Sequence, residues 1–316
     1  MSSYPTSCRV PTVYKYITAS NSSWWEANSH FFAAQDELEL PTMALAIQRI
    51  LPLSKVARDL LIDGYCPEEH KAAAKENSSN QDCLARVYLG RSRLRNAPKS
   101  ANFTLRNFNL HLDQMIDLEL PIMDYASTIG EALAVIHWRA NVDAYDIEFV
   151  LASQAEAVYQ PEPTTVPQVR MNAEEVDLME THTNIDEIRC VESKQRATTL
   201  YVLDFNLCSR WDMAAVLSSG GEDQLVEHLV QAFFENDPYY PRPAKGSGRF
   251  GANGTDMNQV RSELWGVFSS AYLDKSRAVL ADSTMEGEQK ERLLKLPLSF
   301  ITGCIVSAQQ NGIDGR

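Results

Sequence analysis

The sequence predicts an α+β fold in which a small N-terminal part of short strands, residues 1–110, precedes a larger and mainly helical part, residues 111–316. Three observations carry this expectation. Around residues 124–140 (DYASTIGEALAVIHWRA), Ile122, Ala126, Ile129, Leu133 and Ile136 step by 4, 3, 4 and 3, one apolar stripe at the helical period. The runs IEFVLAS (147–153) and TTLYVLDFN (198–206) are rich in β-branched and aromatic residues and read as strands. Two later segments repeat at helical spacing: 222–236 with Leu225, Leu229 and Phe233, and 258–281 with Val260, Leu264, Val267 and Ala271.

From the N-terminus, RVPTVYKYI (9–17) reads as a short strand and leads to an aromatic patch, WWEANSHFF (24–32). A second apolar run, TMALAIQRILPL (42–53), precedes SKVARDLLIDGYCP (54–67). The latter reads as a helix capped by Ser54 and stopped by Pro67, with Val56, Leu60 and Leu61 on one face. Residues 70–82 are polar and read as a surface connector, and Asp124 is placed to cap the next helix. Residues 154–198, which include YQPEPTTVPQ and NAEEVDLMETHTNIDE, read as a long, partly disordered insertion. NDPYYPRPAKGSGRFGANG (236–254) reads as a Pro/Gly loop.

With 316 residues the chain is long enough to bury about three quarters of its unfolded surface. Its formal charge of −13 argues against indiscriminate binding to nucleic acid or anionic membrane, although it leaves room for a local basic patch. The six cysteines are scattered without a C-x-x-C pair, so no structural zinc and no other metal is expected. The start, MSSYPTSCRVPTVYKY, has no basic stretch followed by an apolar run, and no segment reaches the length of a membrane span. These features predict a cytoplasmic protein with reduced thiols and no membrane partner.

The chemistry concentrates in VDAYDIEFVL (142–151), where Asp143, Asp146 and Glu148 meet the start of a strand. Carboxylates this close repel and raise one another's pKa, so the cluster either faces water or answers to something cationic. The strand beginning at Ile147 must be buried, which draws Glu148 inward, and a buried carboxylate needs a partner. Tyr145 within the cluster is a candidate substrate-binding residue. Asp204, ending the later strand, is expected to reach the same cavity, with Asn206 beside it as a second substrate-binding candidate. His137 reads as a packed, hydrogen-bonded core residue rather than a base. No Ser or Cys reads as a nucleophile beside a base, which leaves a covalent acyl intermediate open.

Helix, carboxylate loop, strand, insertion and a strand ending in Asp-Phe: this order resembles a protein-kinase-like fold with a small, partly truncated N-terminal lobe and a larger, mainly helical C-terminal lobe. Asp143 then stands for the residue acting on an acceptor hydroxyl, and Asp204-Phe205-Asn206 for Asp-Phe-Gly. The match is partial: Glu148 occupies the place of the metal-binding Asn, and no early Gly-rich loop or Val-Ala-x-Lys strand exists. GSGRFG (246–251) spells G-x-G-x-x-G but follows RPAK instead of a strand, so it is not read as a phosphate loop.

The segment RVYLGRSRLRNAPKSANFTLR (86–106) is the basic exception. Arg86, Arg91, Arg93, Arg95, Lys99 and Arg106 occur with no acidic residue and with Tyr88 and Phe103 interleaved, a pattern that fits a nucleic-acid backbone. The alternative is a loop whose charges offset acidic neighbours.

QRILPLSKVARDLLIDGYCP (48–67), CLARVYLG (83–90), FTLRNFNLHLDQM (103–115), YASTIGEALAVIHWRANVDAYDIEFVL (125–151), VLDFN (202–206) and AFFENDPYYPRP (232–243) together resemble a fungal family of unknown function. Its members often carry the label "zinc finger protein", and the likeness spans nearly the whole chain. Some members are similar to, or are, arginine-containing cyclodipeptide synthases. The resemblance implies an enzyme that takes arginine from its charged tRNA, joins it to an amino acid from a second aminoacyl-tRNA and releases a cyclic dipeptide, with no cofactor. It implies further that Asp143, Asp146 and Glu148 belong to the active centre, with Asp204 in support. The basic segment 86–106 would hold the tRNA acceptor end. The chemistry agrees, because a guanidinium forks onto carboxylates and a carboxylate of raised pKa can deprotonate an α-amine. Two rival readings remain: a catalytically inactive kinase-like scaffold, and a small-molecule phosphotransferase using Asp143 and Asp204 with magnesium.

Overall fold

The computed structural model describes residues 6–32, 40–93, 99–100, 102–155, 196–243 and 256–310. The chain begins with β1 (Val13–Ile17), α1 (Ser22–Asn28), β2 (Ala44–Ile47), α2 (Lys55–Tyr65), α3 (Lys71–Glu76), β3 (Ala85–Tyr88) and β4 (Asn109–His111). It continues through α4 (Leu112–Asp117), α5 (Ile122–Trp138), β5 (Glu148–Ala155) and β6 (Arg196–Leu203). Helices α6 (Met213–Ser219), α7 (Glu222–Glu235), α8 (Met257–Ala281) and α9 (Gly287–Gln310) complete it. These elements make the expected α+β class.

A four-stranded sheet of order β4-β3-β5-β6 lies at the centre, while β1 and β2 form a separate two-stranded sheet. β3 runs parallel to β4 and antiparallel to β5. β5 and β6 pair antiparallel without a break from Glu148↔Leu203 to Ala155↔Arg196. The expected insertion therefore joins neighbouring strands, and its residues 156–195 lie outside the described ones, as do Cys190 and the GSGRFG motif. Phe149, Val150, Leu151 and Ala152 are all buried, so this strand is covered on both faces and reads as a continuous apolar run. The strand expected over 9–17 is shorter, because Pro11 has no N–H to donate to a ladder. Arg9 instead bridges the free edge of β6, where Val202 N–H donates to its carbonyl at 2.9 Å. The division expected at residue 110 falls inside β4, and one apolar core runs from Leu53 through Leu133 and Phe233 to Ile301.

In α5 the expected stripe is the buried face: Ala126, Ile129, Leu133 and Ile136 are all buried. Asp124 does not cap it; Pro121 holds that position and Asp124 lies in the first turn, where its charge complements the helix dipole. Ser54 does cap α2, accepting from Ala57 N–H at 3.3 Å. The predicted α2 face is wrong, however. Val56 and Leu60 point to solvent, and Arg58, Leu61 and Ile62 turn inward because the Arg58 guanidinium donates to the Leu53 carbonyl at 2.6 Å. Residues 70–82 are no bare connector either: they form α3 and short 3-10 turns, and the buried Asn80 accepts from Leu105 N–H at 2.7 Å.

The inward face of α8 is Leu264, Phe268, Tyr272, Ser276 and Val279, with Val260 and Val267 at its flanks. Gly130 explains the rotation, since without a side chain it lets the α8 backbone approach α5 at Phe268. α9 was not singled out in the sequence; it keeps Pro297 in its interior, and Leu293, Leu296, Phe300, Ile301 and Cys304 hold it against the core. No described helix is long and apolar enough to cross a membrane.

Two glycines separate packing from propensity. A Cβ at Gly130 would lie 2.5 Å from the Phe268 carbonyl oxygen, whereas nothing lies within 4 Å of one at Gly266. Gly130→Ala is expected to lower the unfolding free energy by about 1–3 kcal/mol. Gly266→Ala, on the exposed side of α8, is expected to raise it by up to about 1 kcal/mol. Urea denaturation of the two variants measures both signs.

Candidate active site

The loop between α5 and β5 is folded against its preference. Asn141, Ala144 and Asp146 have φ of 54°, 58° and 59°, and Asp204 at the end of β6 has φ of 66°. For non-glycine residues, and for Ala144 above all, such backbone persists only where the surroundings over-determine it.

Asp143 supplies that determination. Its side chain is buried, and Oδ1 accepts from Tyr145 N–H at 3.1 Å and from Ser209 N–H at 2.9 Å. Its Oδ2 lies 2.9 Å from His228 Nε2 on α7. The backbone is stitched across the same gap, with Asp143 N–H donating to the Ser209 carbonyl at 3.1 Å and Trp211 N–H to the Asn141 carbonyl at 3.0 Å. From below, Asn236 Nδ2 donates to the carbonyls of Ala144 (3.3 Å) and Ile147 (3.2 Å).

A second set of bonds fixes the end of α5. Trp138 Nε1 donates to the Tyr272 hydroxyl at 2.8 Å, and that hydroxyl lies 3.0 Å from His137 Nδ1. The His137 ring also feels the Asp143 backbone, which favours its protonated form without outweighing burial. Burial lowers the His137 pKa to about 3, so the ring stays neutral and packed, as its position predicts.

Glu148 opens β5 beside this loop. It is paired with Arg86 of β3, whose Nη1 also reaches Asp237 Oδ2 at 3.3 Å. Tyr88 donates its hydroxyl to the same Asp237 oxygen at 2.7 Å. Burial is the largest cause that raises the Glu148 pKa; Asp204 and Asp237 push in the same direction and Arg86 opposes them. Asp146, Asp204 and Asn206 are exposed, and the Tyr145 ring is partly so. Asp143, Asp146 and Asp204 all act on the Cys208 thiol, which donates to the Tyr145 carbonyl at 3.3 Å. The five expected acidic and aromatic residues thus gather with Asp237 around the α5–β5 loop and the end of β6. Among the described residues the cluster is graded from inside to outside: Asp143 is buried, Glu148 half-buried, and Asp146 and Asp204 face solvent. A groove of about 550 Å³ between α5 and α8, lined by Ser127, Glu131, Asp274 and Lys275 among others, contains none of them.

Cys208 lies at the cluster, a placement the sequence did not single out. Burial, with the three carboxylates, pushes its pKa up to about 12, so it remains a protonated thiol and a poor nucleophile.

The basic segment is not a continuous strip. Arg86 is held by Glu148 and Asp237, and Lys99 donates to the Cys66 carbonyl at 3.1 Å. Arg93 pairs with Asp113 at 2.9 Å and lies over the Tyr65 ring. Arg91 and Arg106 are exposed, and Arg95 lies outside the described residues. The interleaved aromatics face inward: Tyr88 is buried, and Phe103 packs on Phe108. Acidic residues distant in sequence take up Arg86 and Arg93, so the offsetting alternative describes part of the segment, while Arg91 and Arg106 keep their charge at the surface. His228, Asp237 and Tyr239 belong to the site and were not expected there. The only signal for the last two is the Asp-Pro-Tyr-Tyr run after α7.

Residues 200–284 match the model of a family described as "Zinc finger protein". The span runs from β6 through α8, so it holds Asp204, Cys208, Asp237 and Tyr239 but not the α5–β5 loop. None of the curated proteins matches the chain, and no solved structure does. Among the described residues, no group of three or more His, Cys, Asp or Glu side chains is arranged to hold a metal ion, and the cysteines are free.

Arg86 restrains the Glu148 carboxylate, so its loss should matter most where Glu148 is ionised. A carboxylate of raised pKa contributes stability below its unfolded pKa and loses it as pH rises through the folded value. Arg86→Met removes the opposing cation and pushes that value higher still. Its cost, about 1–3 kcal/mol at pH 8, is expected to shrink at pH 5, as measured by denaturant titration at the two pH values.

Proposed function

We propose that the chain is an aminoacyl-tRNA-dependent synthase of arginine-containing cyclic dipeptides. One observation carries the reading: Glu148 and Asp237, with Asp204 nearby, gather around a guanidinium, that of Arg86, beside a loop whose further carboxylate Asp146 faces solvent. An acidic surface of this kind suits a substrate that carries its own guanidinium, because planar charge-assisted hydrogen bonds favour Arg over other cations. The sequence resemblance to the fungal family points the same way.

In this reading Asp146 and Asp204 receive the substrate guanidinium, and Glu148 takes the proton from the attacking α-amine. Asp143, with its three hydrogen bonds, positions the loop. The amine of the arginyl ester attacks the ester carbonyl of the second aminoacyl-tRNA, so that one C–N bond forms and one C–O bond to a ribose breaks. The proton removed by Glu148 returns to that ribose oxygen. Repetition of the same step within the resulting dipeptidyl ester, which stays on the arginine tRNA, closes the ring and frees that tRNA. Each ester is already activated, so no nucleotide triphosphate is consumed. The contacts to the tRNA body are part of the proposal, with Arg91 and Arg106 as the basic side chains of segment 86–106 that face solvent.

The order α5, loop, β5, β6 and Asp204-Phe205 favours a second reading, a kinase-like phosphotransferase or scaffold. Its required base, Asp143, is buried and already accepts three hydrogen bonds, which weakens it.

Incubation with arginyl-tRNA and a mixture of charged tRNAs, followed by mass analysis, is expected to yield cyclic dipeptides that contain arginine. Asp146→Asn and Glu148→Gln should each lower the rate by about 100-fold or more while the protein stays folded. Asn tolerates the left-handed backbone at 146, so the first variant removes charge and not conformation. Wild-type rates in either variant contradict the assigned role, and ATP-dependent phosphate transfer without cyclic product contradicts the synthase.

A further inference from the structure

Tyr239 sits at the floor of the Arg86–Glu148–Asp237 group with a relative exposure of 0%. Its ring lies edge-on to Tyr88 at 5.3 Å, and Tyr88 is itself tied to Asp237. Yet the Tyr239 hydroxyl has no hydrogen-bond partner among the described residues, and neither has the buried Nε of Arg86 in the same group. A buried hydroxyl without a partner costs about 1–3 kcal/mol; Tyr239 and Arg86 are close enough for each to feel the other's charge and that of Glu148, so their two unused donors can serve one acceptor. The turn that holds Tyr239 is fixed independently of such an acceptor. Gly90 N–H donates to the Pro238 carbonyl at 2.9 Å, and a Cβ at Gly90 would lie 2.4 Å from the Tyr240 carbonyl oxygen. Arg242, half-buried over the rings of Phe233 and Phe234, donates to the Phe233 carbonyl at 2.8 Å.

We infer that the Tyr239 hydroxyl and the Arg86 Nε–H are the donor pair for the carbonyl oxygen of an ester-linked acyl substrate. The inference rests on the synthase reading and assigns its electrophilic side. Glu148 accepts the amine proton, while Tyr239 and Arg86 donate to the oxygen on which negative charge grows during attack. Burial strengthens such donors, because no water competes for the oxyanion. The basis is the geometry: two unpartnered donors next to the one half-buried carboxylate of the site.

The test is Tyr239→Phe in the full chain. Removal of an unpartnered hydroxyl leaves the melting temperature unchanged or higher, whereas the rate of cyclic dipeptide formation should fall about 100-fold or more. The concentration of charged tRNA at half-maximal rate should change little. A wild-type rate in Tyr239→Phe overturns the inference and leaves the synthase reading standing. If the wild-type protein forms no cyclic dipeptide, the synthase reading fails. The donor pair is then judged by calorimetric binding of L-arginine methyl ester. Binding at least 3-fold weaker in Tyr239→Phe than in wild type sustains it. Equal affinity, or no binding to wild type, overturns it and leaves an ordered water as the acceptor.

Discussion

Everything near the candidate site depends on the buried carboxylate of Asp143. It joins three pieces of chain that are distant in sequence: the loop after α5, the segment after β6 and α7 through His228. A charged group out of water is tolerable only when its acceptors are filled, and here they are filled by two backbone N–H groups and an imidazole. That arrangement keeps Ala144 and Asp146 in left-handed backbone and so presents the Asp146 carboxylate to solvent. It also reverses a natural assumption about clustered acids: the most deeply buried of the three is the one least free to react.

Electrostatics within the site follow from the chain's own charge balance. Net charge is −13, yet the site keeps a guanidinium in its midst, with Glu148 and Asp237 on either side. Burial of Glu148 works against its ionised form more strongly than Arg86 works for it. The outcome is a carboxylate with raised pKa next to an anchored cation.

Local chemistry was legible in the sequence, and pairing across distance was not. The α5 stripe, the β5 and β6 runs, the Ser54 cap and the packed His137 each depend on neighbours a few residues away, and each is found as expected. The inward face of α2 was misread because one arginine, Arg58, outweighs two aliphatic residues by reaching a backbone carbonyl. α9 was not singled out in the sequence, and its interior Pro297 is tolerated among buried core contacts. Segment 86–106 is less basic in the fold than in the sequence, because Arg86 and Arg93 meet Asp113, Glu148 and Asp237 from three distant places in the chain. Tyr239 could not be singled out by pattern, since an unfilled hydroxyl is a property of the folded interior.

The unbroken ladder between β5 and β6 has one more consequence. Because the two strands are partners in the same sheet, the segment of chain between them spans only the distance across one pair of hydrogen bonds, whatever its length. The ladder therefore holds Ala155 and Arg196 opposite each other at one end, and Glu148 with Leu203, beside the acidic face, at the other.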